Sequence, residues 1–409
     1  MFNKYINSPR VCKIDIDELR KLLNSVSPDE LVELLRPSDN LTKTTVIHRA
    51  VKMNHLELLA ELLEFAKLSE SYFDLVKSQD SVNSIPMHIA TESNKWKAIE
   101  LMLDTLGNEA KLELIKMKNS MGLDCWYSAV HYNCVESIEA LLSSISVDDR
   151  VKLLKFCPQQ MSPVYTAAEK GNLKSVKVML QSIPVNAKIE ILNHRNDHGC
   201  TIVHYAAAGG QSSIIEAMLQ HIPGSKITDV LKVQSRNRET AIHHAASGGH
   251  VEAIAAMLNC IPAEERADVL TVQSTNGETA FHNAAQNGYV EAITAMLNSL
   301  SKDENSEIFQ MQNRDGYTAL HCLSVSCPNS ADVDSILDQL PIKGRLELLL
   351  IKCSKGESAE QLAKKSGDNN VAECLQKHKQ ATLKLLGRST SISKFSVTFY
   401  VAFSRSLFC

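Results

Sequence analysis

The chain has 409 residues, 44% of them hydrophobic and 22% charged, which is typical of a soluble globular protein and excludes a wholly disordered one. Its 43 basic and 47 acidic side chains give a net charge of -4, which excludes a global basic field that attracts nucleic acid. The eleven cysteines show no pair pattern and are odd in number, which favours reduced thiols in a cytosol over a disulfide scaffold.

The N-terminal segment shows no targeting signal and one partial repeat. The opening MFNKYINSPRVCK lacks an apolar core of signal-peptide length, and no run of about eighteen apolar residues occurs in the chain. We therefore expect a chain that stays in soluble form in the cytoplasm. The stretch DIDELRKLLNSVSPDELVELLRPSD (15–39) predicts two helices of an incomplete unit, so residues 1–40 are expected to cap the open end of a stack.

A block with a helical pattern recurs along the chain with a period near 39 residues. ETAIHHAASGGHVEAIAAMLN (239–259), for example, is followed by ETAFHNAAQNGYVEAITAMLN (278–298). So regular a period indicates units that stack on their neighbours rather than a single catalytic site. With His243 as the reference position, the equivalents are His48, His88, Tyr127, Tyr165, His204, His243, His282, His321 and Gln361.

Each copy opens with the signals of a short first helix. Three positions before the reference stands a residue that can accept an amide hydrogen bond as an N-cap, except at Ile85, where Ser84 is expected to take this role. Six positions after the reference stands Asn or Gly, which tolerate the left-handed backbone that ends a helix, except at Cys327. The expected N-caps are Thr45, Asp124, Ser162, Thr201, Thr240, Thr279, Thr318 and Ser358. The expected turn residues are Asn54, Asn94, Asn133, Gly171, Gly210, Gly249, Gly288 and Gly367.

A second helix is predicted in each copy from its apolar spacing. Apolar residues at i, i+3 and i+4, such as those at 254, 257 and 258, form one stripe on one helix face. In the eighth copy the stripe moves by one position, to Val333, Ile336 and Leu337, which predicts a one-residue insertion in the preceding turn.

A short third helix and a polar turn complete the unit. PAEERADVL (262–270) shows a proline expected at the first helical position and acids in the opening turn. Polar stretches such as STNGET (274–279) then suit the tip of a hairpin.

These features together resemble the ankyrin repeat, over about residues 41–376. The period is longer than the usual length of about thirty-three residues, and Tyr127 and Tyr165 replace the motif histidine. The resemblance implies an all-α, ankyrin-like helical solenoid of about nine stacked repeats, each with an added short third helix, plus a capping half-repeat. The residues that carry it are Thr240, His243, Ala245, Ala246, Gly249, His250 and Glu252, with counterparts from Thr279 to Glu291 and from Thr318 to His321.

The histidines and cysteines do not predict catalytic chemistry. Histidines repeated every 39 residues would form a ladder, which favours a structural role in the turn. HRNDHGCTIVH (194–204) carries donors that zinc accepts, but His204 is the repeat histidine and no CxxC pair accompanies it. No phosphate loop, GxSxG, HExxH or dinucleotide motif occurs. We therefore expect no enzyme activity, no cofactor and no metal.

The resemblance also implies where a protein partner binds. In ankyrin-like proteins, partners meet a concave face built from hairpin tips and the exposed side of the first helices. The corresponding positions of this chain differ between copies while the framework stays the same, although a merely solvated face would vary in the same way. The expected partner-binding residues are Asp197, His198, Arg236, Asn237, Glu239, Ser247, Thr275, Asn276, Glu278, Gln286, Asn287, Arg314, Asp315 and Tyr317.

The tail, residues 377–409, differs from the repeats. From Cys374 to Cys409 there are six basic residues and no acidic one. FSVTFYVAF (395–403) has a strand pattern, which predicts either a membrane or partner-sheet contact or an aggregation-prone terminus.

The sequence therefore predicts a non-catalytic interaction scaffold or adaptor, monomeric, that binds a protein partner of unknown identity and no nucleic acid. A host-directed effector of an intracellular bacterium and a eukaryotic cytosolic adaptor fit this pattern equally well. The alternatives are a membrane-associated adaptor docked through the basic tail and an enzyme whose chemistry is hidden in the stack.

Overall fold

The computed structural model describes residues 16–35, 42–69, 72–155, 163–327 and 329–389, which form α-helices joined by turns. These residues contain no strand, and their one isolated antiparallel bridge joins Lys118 to Asp124. The predicted hairpin tips are therefore tight turns without flanking strands. The chain divides into two compact units, Met1–Val233 and Gln234–Cys409, and each is an all-α helical repeat solenoid, as predicted.

In the unit Met1–Val233 the helices follow one another in the predicted order of first, second and third. The partial N-terminal repeat contributes a second and a third helix. The first helices are Val46–Met53, Pro86–Glu92, Cys125–His131, Pro163–Glu169 and Ile202–Ala208. The second helices are Ile16–Leu23, Leu56–Ala66, Trp96–Asp104, Val135–Ser143, Leu173–Gln181 and Ser212–Leu219. The third helices are Pro28–Leu35, Tyr72–Val76, Asn108–Lys116, Val147–Lys155, Val185–Asn193 and Gly224–Leu231.

The unit Gln234–Cys409 repeats the same order. Its last helix is long and spans positions 376 and 377, where the tail was expected to begin. The strand pattern at 395–403 lies outside the described residues. The first helices are Ala241–Ser247, Ala280–Gln286, Ala319–Ser326 and Ala359–Ser366. The second helices are Val251–Asn259, Val290–Asn298, Ser330–Asp338 and Asn369–Ser389, and the third helices are Ala263–Leu270, Lys302–Phe309 and Ile342–Leu350.

The core of each unit is built from the apolar stripe of the second helices. In the helix Val251–Asn259, Ile254 and Met257 are fully buried and Leu258 is 1% exposed. Burying a side chain of this size stabilises the fold by about 1.5–3 kcal/mol, so a stripe repeated in successive second helices is a large part of the driving force. The predicted stripe is therefore confirmed.

The eighth copy carries the predicted one-residue insertion. Its first helix ends at Ser326 and its second begins at Ser330, each one position later relative to the reference histidine than in the sixth copy. Cys327, at the turn between them, has a φ of -102° and not the left-handed value of its equivalents. The shifted stripe, Val333, Ile336 and Leu337, is fully buried.

The first helices begin at the predicted caps, with one exception. Pro86–Glu92 follows Ile85, which provides no side-chain hydrogen bond. The expectation that Ser84 caps this helix is wrong, because Ser84 lies one residue too early; instead, Nδ1 of His88 accepts from the Ile85 amide at 3.2 Å. Ser162 lies outside the described residues. The observed caps that match the prediction are Thr45, Asp124, Thr201, Thr240, Thr279, Thr318 and Ser358.

The third helices tie neighbouring repeats together. In the helix Ala263–Leu270, Arg266 Nε donates to the carbonyl of Leu258 at 3.0 Å and its Nη1 donates to the carbonyl of Ser299 at 3.2 Å. Both carbonyls lie at the C-terminal ends of second helices, where a cation is favoured by unpaired carbonyls and by the helix dipole. Arg150 makes the same pair of contacts, with Leu142 and Ser182.

The prolines of these third helices correct the sequence analysis. Pro184, Pro223, Pro262 and Pro341 are N-caps and not the first helical residues. Their ψ values of 138–156° are extended, so the helix starts one residue later. The acids Glu264 and Glu265 do lie in the first turn, as predicted.

The turns between first and second helices are left-handed at every predicted Asn and Gly, with φ between 53° and 91°. Gly249, with φ of +67°, illustrates a second constraint. A Cβ atom there would lie 2.6 Å from the ring of Tyr289, in the next repeat, so this turn lacks room for a side chain as well as favouring glycine.

Gly249→Val is expected to destabilise the fold by at least about 2 kcal/mol, because a β-branched residue strongly disfavours the left-handed region and collides with the Tyr289 ring. Gly249→Asn is the matched control, since Asn adds a Cβ but tolerates this backbone and occupies the turn at Asn54 and Asn94. Urea denaturation of both variants checks the ranking. Equal losses would show that the left-handed backbone is not the limiting feature.

Candidate protein-binding surface

The loops that precede the first helices are shaped by a polar side chain at their base. Oδ1 of Asn313 accepts hydrogen bonds from the backbone amides of Asp315, at 3.0 Å, and Tyr317, at 2.9 Å. Such bonds fix a turn locally. Equivalent bonds are accepted by Asp80, Asn119, Asn196 and Ser274. We call the turn residues of these loops tip residues: 81–83, 120–122 and 197–199 in the first unit, and 236–238, 275–277, 314–316 and 354–356 in the second.

Backbone hydrogen bonds hold neighbouring tips side by side. In the unit Gln234–Cys409, the amide of Thr275 donates to the carbonyl of Asn237 at 2.8 Å, and the amide of Arg314 donates to the carbonyl of Asn276 at 2.9 Å. The amide of Ser354 donates to Asp315 at 2.9 Å in the same manner. In the unit Met1–Val233, the amides of Ser81 and Ser120 donate to the carbonyls of Thr42 and Val82 at 2.9 Å.

A ladder of glutamine side chains reinforces the tips of the second unit. Nε2 of Gln273 donates to the carbonyl of Gly277 in its own loop, at 2.7 Å, and to the carbonyl of Gln312 in the next, at 3.2 Å. Gln234 and Gln312 make the corresponding pairs of bonds. These glutamines were not predicted from the sequence, although their spacing of 39 residues and the recurrent Gln-Ser or Gln-Asn pair are visible signals.

The repeated histidines are structural groups, and His243 hydrogen-bonds to two backbone groups as well as to the hydroxyl of its own cap, Thr240, at 2.8 Å. Nδ1 of His243 accepts from the amide of Thr240 at 3.2 Å, so the ring proton lies on Nε2. Nε2 then donates to the carbonyl of Glu278, at 3.1 Å, the residue before the N-cap of the next repeat. His243 thus links the start of its own helix to the following loop. His48, His88 and His282 reach the carbonyls of Ser84, Leu123 and Tyr317 at 2.9, 3.0 and 2.9 Å.

Tyr165, in place of a histidine, preserves the link between repeats. Its hydroxyl donates to the carbonyl of His194 at 2.6 Å and lies 3.3 Å from the carbonyl of Cys200, the residue before the cap Thr201. The longer side chain therefore reaches the same loop that a histidine Nε2 reaches elsewhere.

The comparison with protein families rests on this repeat. A family model described as ankyrin repeats (3 copies) matches residues 127–230 and 226–307. The chain contains ankyrin repeats over residues 127–307. Proteins with this repeat generally mediate protein–protein interaction, and the fold is typically non-catalytic.

Solved structures show weaker likenesses to this chain. One is a chain of the complex between a predatory endopeptidase from Bdellovibrio bacteriovorus and an immunity protein, with 24% identity, a TM-score of 0.39, and coverage of 54% of this chain and 99% of that chain. Another is EF0377, an ankyrin repeat protein, with 20% identity, a TM-score of 0.41, and coverage of 53% and 98%. Likenesses of this size transfer no function. No curated protein matches the sequence.

Of the predicted partner-binding residues, eight have side chains that make no hydrogen bond or ion pair within the described part of the chain. All eight are tip residues, and Thr275 is the one that is partly buried. Asp197 and His198 belong to the unit Met1–Val233, and the other six belong to the unit Gln234–Cys409. The eight are Asp197, His198, Arg236, Asn237, Thr275, Asn276, Arg314 and Asp315.

The other six predicted residues contact the first helices. Asn283 Nδ2 donates to Ser247 Oγ at 2.9 Å, and Asn287 Nδ2 donates to the carbonyl of Asn283 at 2.9 Å. Glu278 accepts from Nε2 of Gln286. A carboxylate oxygen of Glu239 lies 3.9 Å from His244 Nε2, and the ring of Tyr317 packs edge-on against His321 at 5.9 Å between centroids. These six side chains have structural contacts in addition to any role in binding.

Three described cysteine side chains, Cys125, Cys322 and Cys374, do not have the electrostatics of nucleophiles. Burial raises the pKa of the Cys125 thiol, and it raises the pKa of Cys322 and Cys374 to about 12. The reactive form of cysteine is the thiolate, which is favoured at sites that lower the pKa. These thiols are instead kept protonated.

One group of three metal-type donors occurs among the described residues. Asp334, Cys374 and His378 lie with their donor atoms within 4.8 Å of one another. Arg345 Nη1 donates to His378 Nδ1 at 3.3 Å, so Nε2 holds the proton that it donates to Asp334. A ligating histidine needs Nε2 unprotonated and normally donates from its other nitrogen, which faces a guanidinium here. The group is therefore better explained as a hydrogen-bonded contact that holds the helix Asn369–Ser389 in place than as a metal site. The donors of 194–204 form no such group.

Stability is expected to fall as the pH is lowered from about 6.5 towards about 4. Burial lowers the pKa of His243 to about 4, so the unfolded chain takes up a proton before the folded one does. The neutral, buried ring contributes its full stabilisation above the ordinary histidine pKa of 6.5. This contribution falls with the pH and is lost once the pH has fallen through about 4, which lowers the free energy of unfolding by about 3 kcal/mol. Chemical denaturation at several pH values measures it.

His243→Gln is the matched variant for this pH dependence. In the last copy, Gln361 Oε1 accepts the cap amide of Ser358 at 2.9 Å, so glutamine retains one of the two histidine bonds without titrating. The variant is expected to be less stable than the original chain near pH 7 and to lose less stability on acidification. An unchanged pH slope would contradict the assignment of a neutral, buried His243.

Proposed function

We propose that the chain is a non-catalytic interaction scaffold or adaptor that binds a protein partner through its tip residues and the exposed side of its first helices. The observation that carries it is a difference between two sets of loop side chains. Those at the base of the loops hydrogen-bond to the loop backbone, whereas those of the eight tip residues make no hydrogen bond or ion pair within the described residues.

The loop backbone is satisfied without the tip side chains. Asn313 accepts two loop amides, and the backbone bond from Arg314 to Asn276 holds adjacent tips together. The side chains of Asn237, Asn276 and Asp315 are exposed and make no hydrogen bond or ion pair within the described residues. Polar side chains that the fold does not use, presented on a fixed backbone, are suited to recognition because little of their supporting structure has to be ordered on binding.

The chemistry of the tips varies while the base of the loop stays polar and small. The tip sequences of the second unit are RNR (236–238), TNG (275–277) and RDG (314–316). The base is Ser or Asn in each of these loops. Tips of this kind present different polar groups on a common loop framework, as a partner surface requires. A cytoplasmic location, and a monomeric state, remain part of the proposal, with a bacterial effector and a eukaryotic adaptor equally compatible.

The triple variant Asn237→Ala, Asn276→Ala, Asp315→Ala tests the surface. Binding to the partner, isolated by capture with the full chain, is expected to weaken by at least about tenfold, with an unchanged denaturation midpoint. The control is Glu252→Ala, Glu291→Ala, on exposed positions of second helices. Affinity lost only in the control pair, or in neither variant, would place the interface elsewhere.

A second candidate, association with an anionic membrane surface, is favoured by the end of the helix Asn369–Ser389. Leu383 and Leu385 are 49% and 51% exposed, and Lys384 between them is exposed, while Thr382 faces the protein. Exposed apolar groups beside lysines suit the interface of an anionic bilayer. Within the described residues, no helix combines the length and apolar character needed to cross a membrane, so the contact proposed is peripheral.

Sedimentation with phosphatidylserine vesicles tests this second candidate. Leu383→Ser, Lys384→Gln, Leu385→Ser is expected to abolish co-sedimentation, because it removes both the apolar and the basic contact. Lys302→Gln, an exposed lysine on a third helix, is the control and should bind like the original chain. Co-sedimentation that is absent for the original chain, or equal for the triple variant, contradicts membrane association through this helix.

A further inference from the structure

Arg238 keeps a side chain where the loop geometry favours glycine. Its φ is +59°, in the left-handed region that L-residues disfavour. Its carbonyl accepts from Gln234, but its exposed guanidinium makes no hydrogen bond or ion pair within the described residues. No hydrogen bond or ion pair of this side chain within the described residues offsets the strained backbone, which points to a role outside the fold. Glycine, at φ of 73–76°, occupies the equivalent positions 122, 199, 277, 316 and 356.

Arg238 belongs to a basic row on an acidic unit. Arg236 lies in the same tip, Arg314 lies two tips further along the chain, and Lys355 lies in the tip after that. Asp315 is the one carboxylate among these tip residues. Residues 234–389 carry 15 Lys and Arg against 19 Asp and Glu. The tips of this unit thus carry four basic residues and one acidic residue, whereas residues 234–389 as a whole are negative.

The spacing of this row is fixed by the backbone. The tips of Asn237, Asn276 and Asp315 are bonded to their successors at 2.8, 2.9 and 2.9 Å. Arginines displayed from a fixed backbone pay less ordering entropy on binding than arginines on a mobile loop, and each guanidinium can bind a carboxylate in bidentate fashion.

Carboxylates lie directly behind the row and limit which anion fits. Glu239 and Glu278 precede the first helices and are partly buried, and Glu357, which pairs with Lys365 at 2.7 Å, occupies the equivalent position of the last copy. A nucleic acid strand, negative along its whole length, would be repelled by these groups and by the unit as a whole. A protein segment combines acidic with neutral or basic residues and suits both features.

We infer that the tips 236–238, 275–277 and 314–316 bind an acidic segment of a protein partner, whose carboxylates pair with Arg236, Arg238 and Arg314. The inference rests on the proposed function and names the chemistry of the partner for that surface. Arg238 makes this contact at the expense of loop stability.

Fluorescence anisotropy with labelled probes tests the inference on the full chain. A short peptide of alternating glutamate and serine is expected to bind, and to bind more weakly at high salt. Arg236→Gln, Arg238→Gln, Arg314→Gln is expected to abolish this binding, whereas Lys302→Gln should leave it unchanged. Absence of peptide binding, or tighter binding of an oligothymidine of similar length, overturns the inference.

Arg238→Gly provides a readout that a purely structural role would not give. It is expected to raise the thermal midpoint by about 2 °C, because glycine adopts this backbone without strain, and to weaken binding of the glutamate peptide about tenfold. Arg236→Ala removes an equivalent charge from an ordinary backbone, so it should weaken binding without raising the midpoint. A lower midpoint for Arg238→Gly, or unchanged binding, contradicts the inference.

Failure of this inference can be told apart from failure of the proposed function. If binding of a captured partner depends on Asn237, Asn276 and Asp315 but not on the three arginines, the proposed interaction surface is supported and the acidic segment is refuted. A partner that depends on neither set refutes both.

Discussion

The buried histidine link between repeats is the interaction on which the rest of the structure depends. His243 accepts the cap amide of its own helix through Nδ1 and donates to the carbonyl before the next cap through Nε2. One uncharged ring thus satisfies two backbone groups that helix and loop ends would otherwise leave unpaired. Because His48, His88 and His282 attach the following loop to their own helix in the same way, the tips at these repeats are held at a fixed spacing. Tyr165 shows that the link matters more than the residue type.

This arrangement separates support from recognition. Backbone bonds between tips, the polar base residue and the glutamine ladder complete the hydrogen bonding of the loops. The outward side chains at the tips can therefore differ from repeat to repeat without loss of these hydrogen bonds. The added third helix contributes to this support, because Arg266 on that helix joins the ends of two second helices.

Patterns within one repeat predicted most of the fold, whereas the contacts between repeats were not predicted from the sequence. The caps, the left-handed turns and the buried stripes depend on residues within one repeat, so spacing alone identified them, including the insertion near Cys327. The glutamine ladder and Arg266 bind backbone carbonyls, which carry no residue-specific signal. For the candidate surface, sequence found the exposed tips but did not separate Asn276, which is free, from Gln286, which contacts Glu278.

Site-specific photo-cross-linking tests the central claim most directly. A photoreactive amino acid would be placed in the full chain at the tip position of Asn276 and, in a second variant, at the exposed position of Glu291 on a second helix. The account predicts that one cellular protein is cross-linked from position 276 and not from position 291. Cross-linking of the same protein from position 291 alone, or equally from both positions, would contradict a partner surface built on the tips.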